Sequence, residues 1–215
     1  MKFRPTLLAL GLGLIATAAS VAVNAQENAV TGNAAKGKTL AYTCHGCHGI
    51  PNYKNAYPTY SVPRLGGQNA KYLEMALGEY ASGDRAHPTM HAHASTLSAQ
   101  DRADIAAFLH ADGIQPSEVV GTPPPATQTC VACHGDGGAK PMSDEHPVLA
   151  GQAADYLVRA LKDYKSGKRK NPIMAGIITG VDEKDFEAIA QFYAQQKGGL
   201  CSTDELRLRG KCDRK

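Results

Sequence analysis

The chain contains itself twice. Shifting it by 84 residues lays PRLGGQNAKYLEMALGEYASGDRAHPTM (Pro63 to Met90) on PVLAGQAADYLVRALKDYKSGKRKNPIM (Pro147 to Met174) without a gap. Coincident pairs include Leu65/Leu149, Gln68/Gln152, Tyr72/Tyr156, Leu77/Leu161, Tyr80/Tyr164, Gly83/Gly167, Arg85/Arg169 and Pro88/Pro172. The register continues through Asp101/Asp185, Ile105/Ile189 and Phe108/Phe192. Two copies of one unit predict two like domains. Between them lies DGIQPSEVVGTPPP, where Pro116 and the run Pro123 to Pro125 remove backbone donors and stiffen the connection. The expected division is domain 1 over 26–112, a linker over 113–125, domain 2 over 126–197 and a tail over 198–215.

The periodicity inside each copy is helical. Tyr72, Leu73, Ala76, Leu77 and Tyr80 recur at spacings of three and four, as do Tyr156, Leu157, Ala160, Leu161 and Tyr164. Gly83 and Gly167 stand where such helices close. Ser98 with Asp101 predicts a capping box at the start of the last helix of repeat one, and Asp182 with Asp185 matches it in repeat two. Long alternating runs of β-branched residues are absent, so the fold class is all-α.

Each repeat carries one Cys-x-x-Cys-His pentapeptide, at Cys44, Cys47, His48 and at Cys130, Cys133, His134. On a helix, cysteines three apart share a face and reach one edge of a haem, and the next residue supplies an imidazole to its iron. A redox dithiol or a four-thiolate zinc site is the competing reading. A dithiol needs no histidine after the second cysteine, and the gap from Cys47 to Cys130 is long for zinc. The pattern therefore predicts two covalently bound haem c groups.

An iron held by one histidine has a sixth position. Of five methionines, only Met90 and Met174 coincide in the repeat, each two residues after a proline on a segment between helices. They are the expected thioether ligands, which would close the coordination shell. His87, His91 and His93 crowd Met90 as rivals, whereas repeat two has no histidine near Met174. His45 is expected to face outward, and His110 and His146 to be surface or structural groups. Arg85 and Arg169 recur five residues before the methionines. A guanidinium there suits a haem propionate, with plain surface exposure as the alternative.

The first 25 residues, MKFRPTLLALGLGLIATAASVAVNA, have a basic start (Lys2, Arg4), an apolar stretch from Leu7 to about Ala19, and small residues at Val23 and Ala25. They are expected to be a secretory signal peptide cleaved after Ala25, with a retained membrane anchor as the alternative. The composition gives 23 basic and 20 acidic residues, and removing Lys2 and Arg4 leaves +1, which points away from nucleic acid. A local basic cluster, Lys162, Lys165, Lys168, Arg169 and Lys170, reads as a solvated helix face or a strip that steers an acidic partner.

Two Cys-x-x-Cys-His motifs, each followed by Pro-x-Leu-x-Gly-Gln, an aromatic-bearing amphipathic helix, a Pro-x-Met segment and a final helix, resemble the dihaem cytochrome c4 family. The likeness covers about residues 33 to 197. It implies two tandem class I cytochrome c domains related by a pseudo-twofold axis. It further implies a periplasmic electron carrier, not an enzyme, that works between redox protein partners towards a terminal oxidase, with no nucleic acid and no small-molecule substrate. Carried over by position, Cys44, Cys47, Cys130 and Cys133 attach haem, while His48, Met90, His134 and Met174 bind iron. An electron-transfer subunit of a periplasmic oxidoreductase, such as a sulfur-compound dehydrogenase, is the alternative. A dihaem peroxidase needs an open iron, which the duplicated methionine argues against.

Two features depart from the family pattern. The first haem loop, GIPNYKNAYPTYSV, carries Tyr53, Tyr57 and Tyr60, which would cover a haem edge, form a partner surface or simply pack. The tail adds Cys201 and Cys212, expected to form a disulfide in an oxidising compartment, with pairing to another chain as the alternative.

Overall fold

The computed structural model describes residues 1, 30–111, 113–114 and 118–212. Apart from Met1, the expected signal peptide lies outside the described residues. Those residues form short helices joined by loops, with isolated bridges and no extended strand among them. Repeat one runs through α1 (Ala34–Leu40), a 3-10 turn (Ala41–Cys44), α2 (His45–His48), α3 (Ala70–Ser82), α4 (Pro88–Ala94) and α5 (Ala99–His110). Repeat two follows with α6 (Gln128–His134), α7 (Ala154–Lys165), α8 (Pro172–Thr179) and α9 (Phe186–Ala194), and the tail adds α10 (Thr203–Arg209).

Local chemistry sets the helix ends. Gly83 closes α3 at φ 85°, a left-handed position that only glycine takes without penalty. Ser98 and Asp101 exchange both bonds of a capping box at the start of α5. Repeat two differs from the expectation there. Asp182 makes no side-chain cap bond, a 3-10 turn (Glu183–Asp185) intervenes, and the Asp182 carboxylate pairs with Lys184 at 3.0 Å instead. A charged neighbour two residues on competes successfully for the capping oxygen.

Each repeat buries its own apolar cluster. In the first, Ala41, Leu73, Ile105, Ala106 and Leu109 gather where α3 and α5 cross. In the second, Tyr156, Leu157, Ile178, Phe186, Ile189, Phe192 and Tyr193 gather between α7, α8 and α9.

The two halves are joined by bonds that come in reciprocal pairs. Gln68 donates to Val148 O (3.0 Å) and accepts from Val148 N (2.8 Å). Its repeat-mate Gln152 donates to Arg64 O (3.0 Å) and accepts from Arg64 N (2.9 Å). Ala86 N reaches Lys168 O and Lys170 N reaches Asp84 O, again in exchanged positions. When residue i meets residue j and their mates meet the other way round, the contact has twofold character. Both carboxamides are buried, so the pairing leaves no stranded polar atom on either glutamine.

The tail breaks this symmetry. After α9 the chain runs between the two Pro-x-Leu-x-Gly-Gln loops. Leu200 N bonds Ala150 O in the second, while Cys201 exchanges both backbone bonds with Gly66 in the first. Helix α10 then lies on domain 1, where Leu206 and Cys201 complete its apolar cluster. Cys201 and Cys212 are disulfide-bonded across a separation of 11 residues. The Gly66 position admits no side chain, because a Cβ there would meet Cys201 Sγ at 2.6 Å.

Replacing both Cys201 and Cys212 by serine is expected to lower unfolding stability by about 3 kcal/mol, the loop-closure contribution for a ring of this size. Denaturant unfolding of the oxidised proteins measures it; an unchanged midpoint and slope would show that the crosslink constrains nothing.

Candidate haem-binding site

Both pentapeptides sit on helical backbone, the first across the 3-10 turn and α2, the second at the end of α6. His48 Nδ1 lies 2.8 Å from Pro63 O and His134 Nδ1 lies 2.9 Å from Pro147 O. A carbonyl only accepts, so in both rings Nδ1 carries the hydrogen and Nε2 keeps its lone pair. Burial pushes His48 down to about 4 and lowers His134 as well, which holds both imidazoles in the neutral form that binds metal. The carbonyls belong to the first residue of each Pro-x-Leu-x-Gly-Gln stretch, which gives that stretch a second task beside the domain contact.

Met90 and Met174 are not on loops, as the spacing suggested, but in the first turns of α4 and α8. Pro88 and Pro172 occupy the first helical turn, where a missing N–H costs nothing. The N-cap side chains hold the methionine backbones themselves. His87 Nδ1 accepts from Met90 N at 3.3 Å, and Asn171 Oδ1 accepts from Met174 N at 3.0 Å. The cap and the proline together fix where each thioether starts.

Cys44, Cys47, His48, Met90, Cys130, Cys133, His134 and Met174 all line one continuous cavity of about 590 Å³. None of the four motif cysteines is in a disulfide, and burial raises the Cys44 and Cys130 thiols. Among the described residues no three His, Cys, Asp or Glu side chains come together as a metal cluster, so the four-thiolate zinc arrangement is not formed.

Arg85 and Arg169 also line this cavity, and the structure resolves the question the sequence left open: both are buried, 4 % and 8 % exposed. Each donates to the same phenol oxygen, Tyr156 Oη, at 2.8 and 3.0 Å. Arg85 lies 4.7 Å from the Tyr80 ring centre, and Arg169 lies 5.4 and 5.5 Å from the rings of Tyr156 and Tyr164. Their charges are poorly matched. Glu79 comes only to 3.8 Å from Arg85, and Arg85 Nε and Nη1 have no hydrogen-bond partner. Burial would raise the Tyr156 phenol, yet the two guanidiniums override it and hold it at about 8. Uncompensated buried cations facing a largely apolar cavity suit a pair of propionate carboxylates, so the residues present fit haem.

His93 lines the cavity beside Met90, while the other remaining histidines sort by their partners. His91 Nδ1 is committed to Tyr80 O at 2.8 Å, His110 Nδ1 to Gln68 O at 2.9 Å, and His146 to Ser143 Oγ at 2.7 Å. His45 does not face outward as expected. The tail's Thr203 Oγ1 meets its Nδ1 at 2.7 Å and Phe108 takes its ring edge-on, a link across 158 residues that no local pattern announces.

The cytochrome c profile matches residues 34–111 and again 126–197. This chain belongs to the cytochrome c family. Within that family it is similar to cytochrome c4 of Pseudomonas aeruginosa, 30 % identical over 178 residues that cover 75 % of this chain and 87 % of the relative. It is equally similar to the thiosulfate dehydrogenase electron acceptor of Stutzerimonas stutzeri, 30 % identical over 173 residues, or 72 % and 79 % of the two chains. Among solved structures, reduced cytochrome c4 from Pseudomonas stutzeri superposes with a TM-score of 0.60 at 26 % identity, covering 80 % of this chain and all of that one. The cytochrome is thus a dihaem, c4-like electron carrier, all-α, with two covalently bound haem c groups, and it works with redox partners.

Leucine at Gln68 would strand both backbone groups of buried Val148, and leucine at Gln152 would do the same to Arg64. Each single variant is expected to cost about 2–4 kcal/mol of stability, and the two costs should be alike because the contacts are reciprocal. Urea unfolding of the pair checks both magnitude and equality.

Proposed function

We propose that Cys44 and Cys47 hold one haem and Cys130 and Cys133 the other, with His48 and Met90 as axial ligands of the first iron and His134 and Met174 of the second. When bound, each haem iron stores and releases one electron by alternating between ferric and ferrous states. The polypeptide contributes fixed geometry. Carbonyls of Pro63 and Pro147 lock the imidazoles, and the caps at His87 and Asn171 anchor the methionines, so neither ligand has to move when the charge on the iron changes. Arg85 and Arg169 take the propionates, which supplies the negative charge their burial demands. The observation that carries this reading is the convergence of all eight side chains on one cavity.

Filled coordination shells leave no site for substrate, in keeping with a carrier. The signal-peptide pattern of the first 25 residues supports export to the periplasm, and the resemblance to the dihaem cytochrome c4 family implies delivery of electrons towards a terminal oxidase. The similarity to a thiosulfate dehydrogenase electron acceptor supports a second reading, in which a sulfur-compound dehydrogenase is the donor. Rapid-mixing measurements decide between them: reduction of this cytochrome by a thiosulfate dehydrogenase faster than by quinol-oxidising membranes favours the second.

Met90→Ala and Met174→Ala are each expected to remove about half of the weak long-wavelength absorption of thioether bound to ferric iron. Each should also lower the potential of one haem and open it to carbon monoxide in the reduced state. A spectrum unchanged in either variant would reject that methionine as a ligand.

A further inference from the structure

The loop after the first haem motif does not stay with its own domain. Ser61 N and Oγ both donate to Asp155 Oδ2 at 3.0 Å, and Lys54 Nζ pairs with the same carboxylate at 3.3 Å, which tacks the loop to α7 of domain 2. Between those tacks Tyr60 packs against the apolar cluster of domain 2. Its ring lies 5.6 Å from the Arg159 guanidinium, which is paired with the Asp163 carboxylate at 3.0 Å, and all three side chains line the cavity. Burial raises the Tyr60 phenol, so the ring carries no charge at neutral pH.

The second loop crosses back, Asp144 O accepting from Tyr72 N at 3.0 Å and His146 O from Asn69 Nδ2 at 2.8 Å, but it brings no counterpart of Tyr60. Residues 135–146, the corresponding loop of repeat two, contain no Tyr, Phe or Trp, and the repeat-mate of Arg159 is Met75. The Tyr60/Arg159 pair is therefore a second departure from the twofold arrangement, beside the tail. We propose that Tyr60 is a positioning residue for the second haem: supplied by domain 1, it walls the domain 2 side of the cavity against water and holds the Arg159–Asp163 ion pair at that wall. This rests on the ligand assignment above. Water exclusion disfavours the ferric state, and Arg159 offsets the Asp163 carboxylate that would favour it, so the two residues raise the potential of the second haem relative to the first.

The test is a redox titration of the holoprotein followed by proton NMR, reading the axial-methionine methyl resonances, with Met174→Ala identifying the second haem. Tyr60→Ala is expected to lower the potential of the second haem and leave the first in place, while Tyr60→Phe, which keeps the ring, should titrate like the parent. Arg159→Met, which installs the side chain found at the matching position of repeat one, should lower the same potential and stands in if Tyr60→Ala does not assemble. Equal movement of both haems, movement of neither, or a Tyr60→Phe protein that behaves like Tyr60→Ala would overturn the proposal. Absence of methionine methyl signals in the parent protein would instead overturn the ligand assignment, so the two failures are distinguishable.

Discussion

Two glutamine carboxamides hold this molecule in the form that makes a shared cavity possible. Gln68 and Gln152 each close a two-bond ring on the backbone of the opposite domain, and each lies immediately beyond the loop whose proline carbonyl orients a motif histidine. Domain contact and imidazole orientation are thus carried by one six-residue stretch. A shift of that stretch would displace the histidine and the partner domain together, which gives the interface far more geometric precision than its few bonds suggest.

The same arrangement explains a costly feature. Two guanidiniums on one phenol oxygen in a buried site is an unfavourable charge distribution for a polypeptide alone. Tyrosine rings from both repeats cushion it, but they do not neutralise it. On the proposed assignment the haem propionates would supply the missing carboxylates, and assembly of the two halves and attachment of cofactor would then support one another electrostatically.

How much of this the chain disclosed depended on whether the determining signal was local. The pentapeptides, the helical stripes from Tyr72 to Tyr80 and Tyr156 to Tyr164, Gly83 and the Ser98/Asp101 cap were all readable because their partners lie within a few residues. The methionines were recognisable by their repetition, yet their backbone was misread as loop. A side chain at His87 or Asn171 that accepts the capping bond, followed by proline at N1, is a helix start, and Asn-Pro-Ile-Met carried that signal. The Asp182 cap failed because Lys184 competes for the carboxylate. The burial of Arg85 and Arg169, the docking of α10 on domain 1 and the crossing of Tyr60 involve partners tens of residues away and on the other half of the molecule. A single sequence holds no record of such distances.

The segment after α9 makes the first repeat depend on the second. Cys201 pairs with Gly66, Leu206 fills the first apolar cluster and Thr203 bonds His45, so residues beyond the second repeat complete the first. Domain 1 cut free of that segment would lose the cover of Cys201 and Leu206 and expose apolar surface, so the first repeat is not a self-sufficient folding unit.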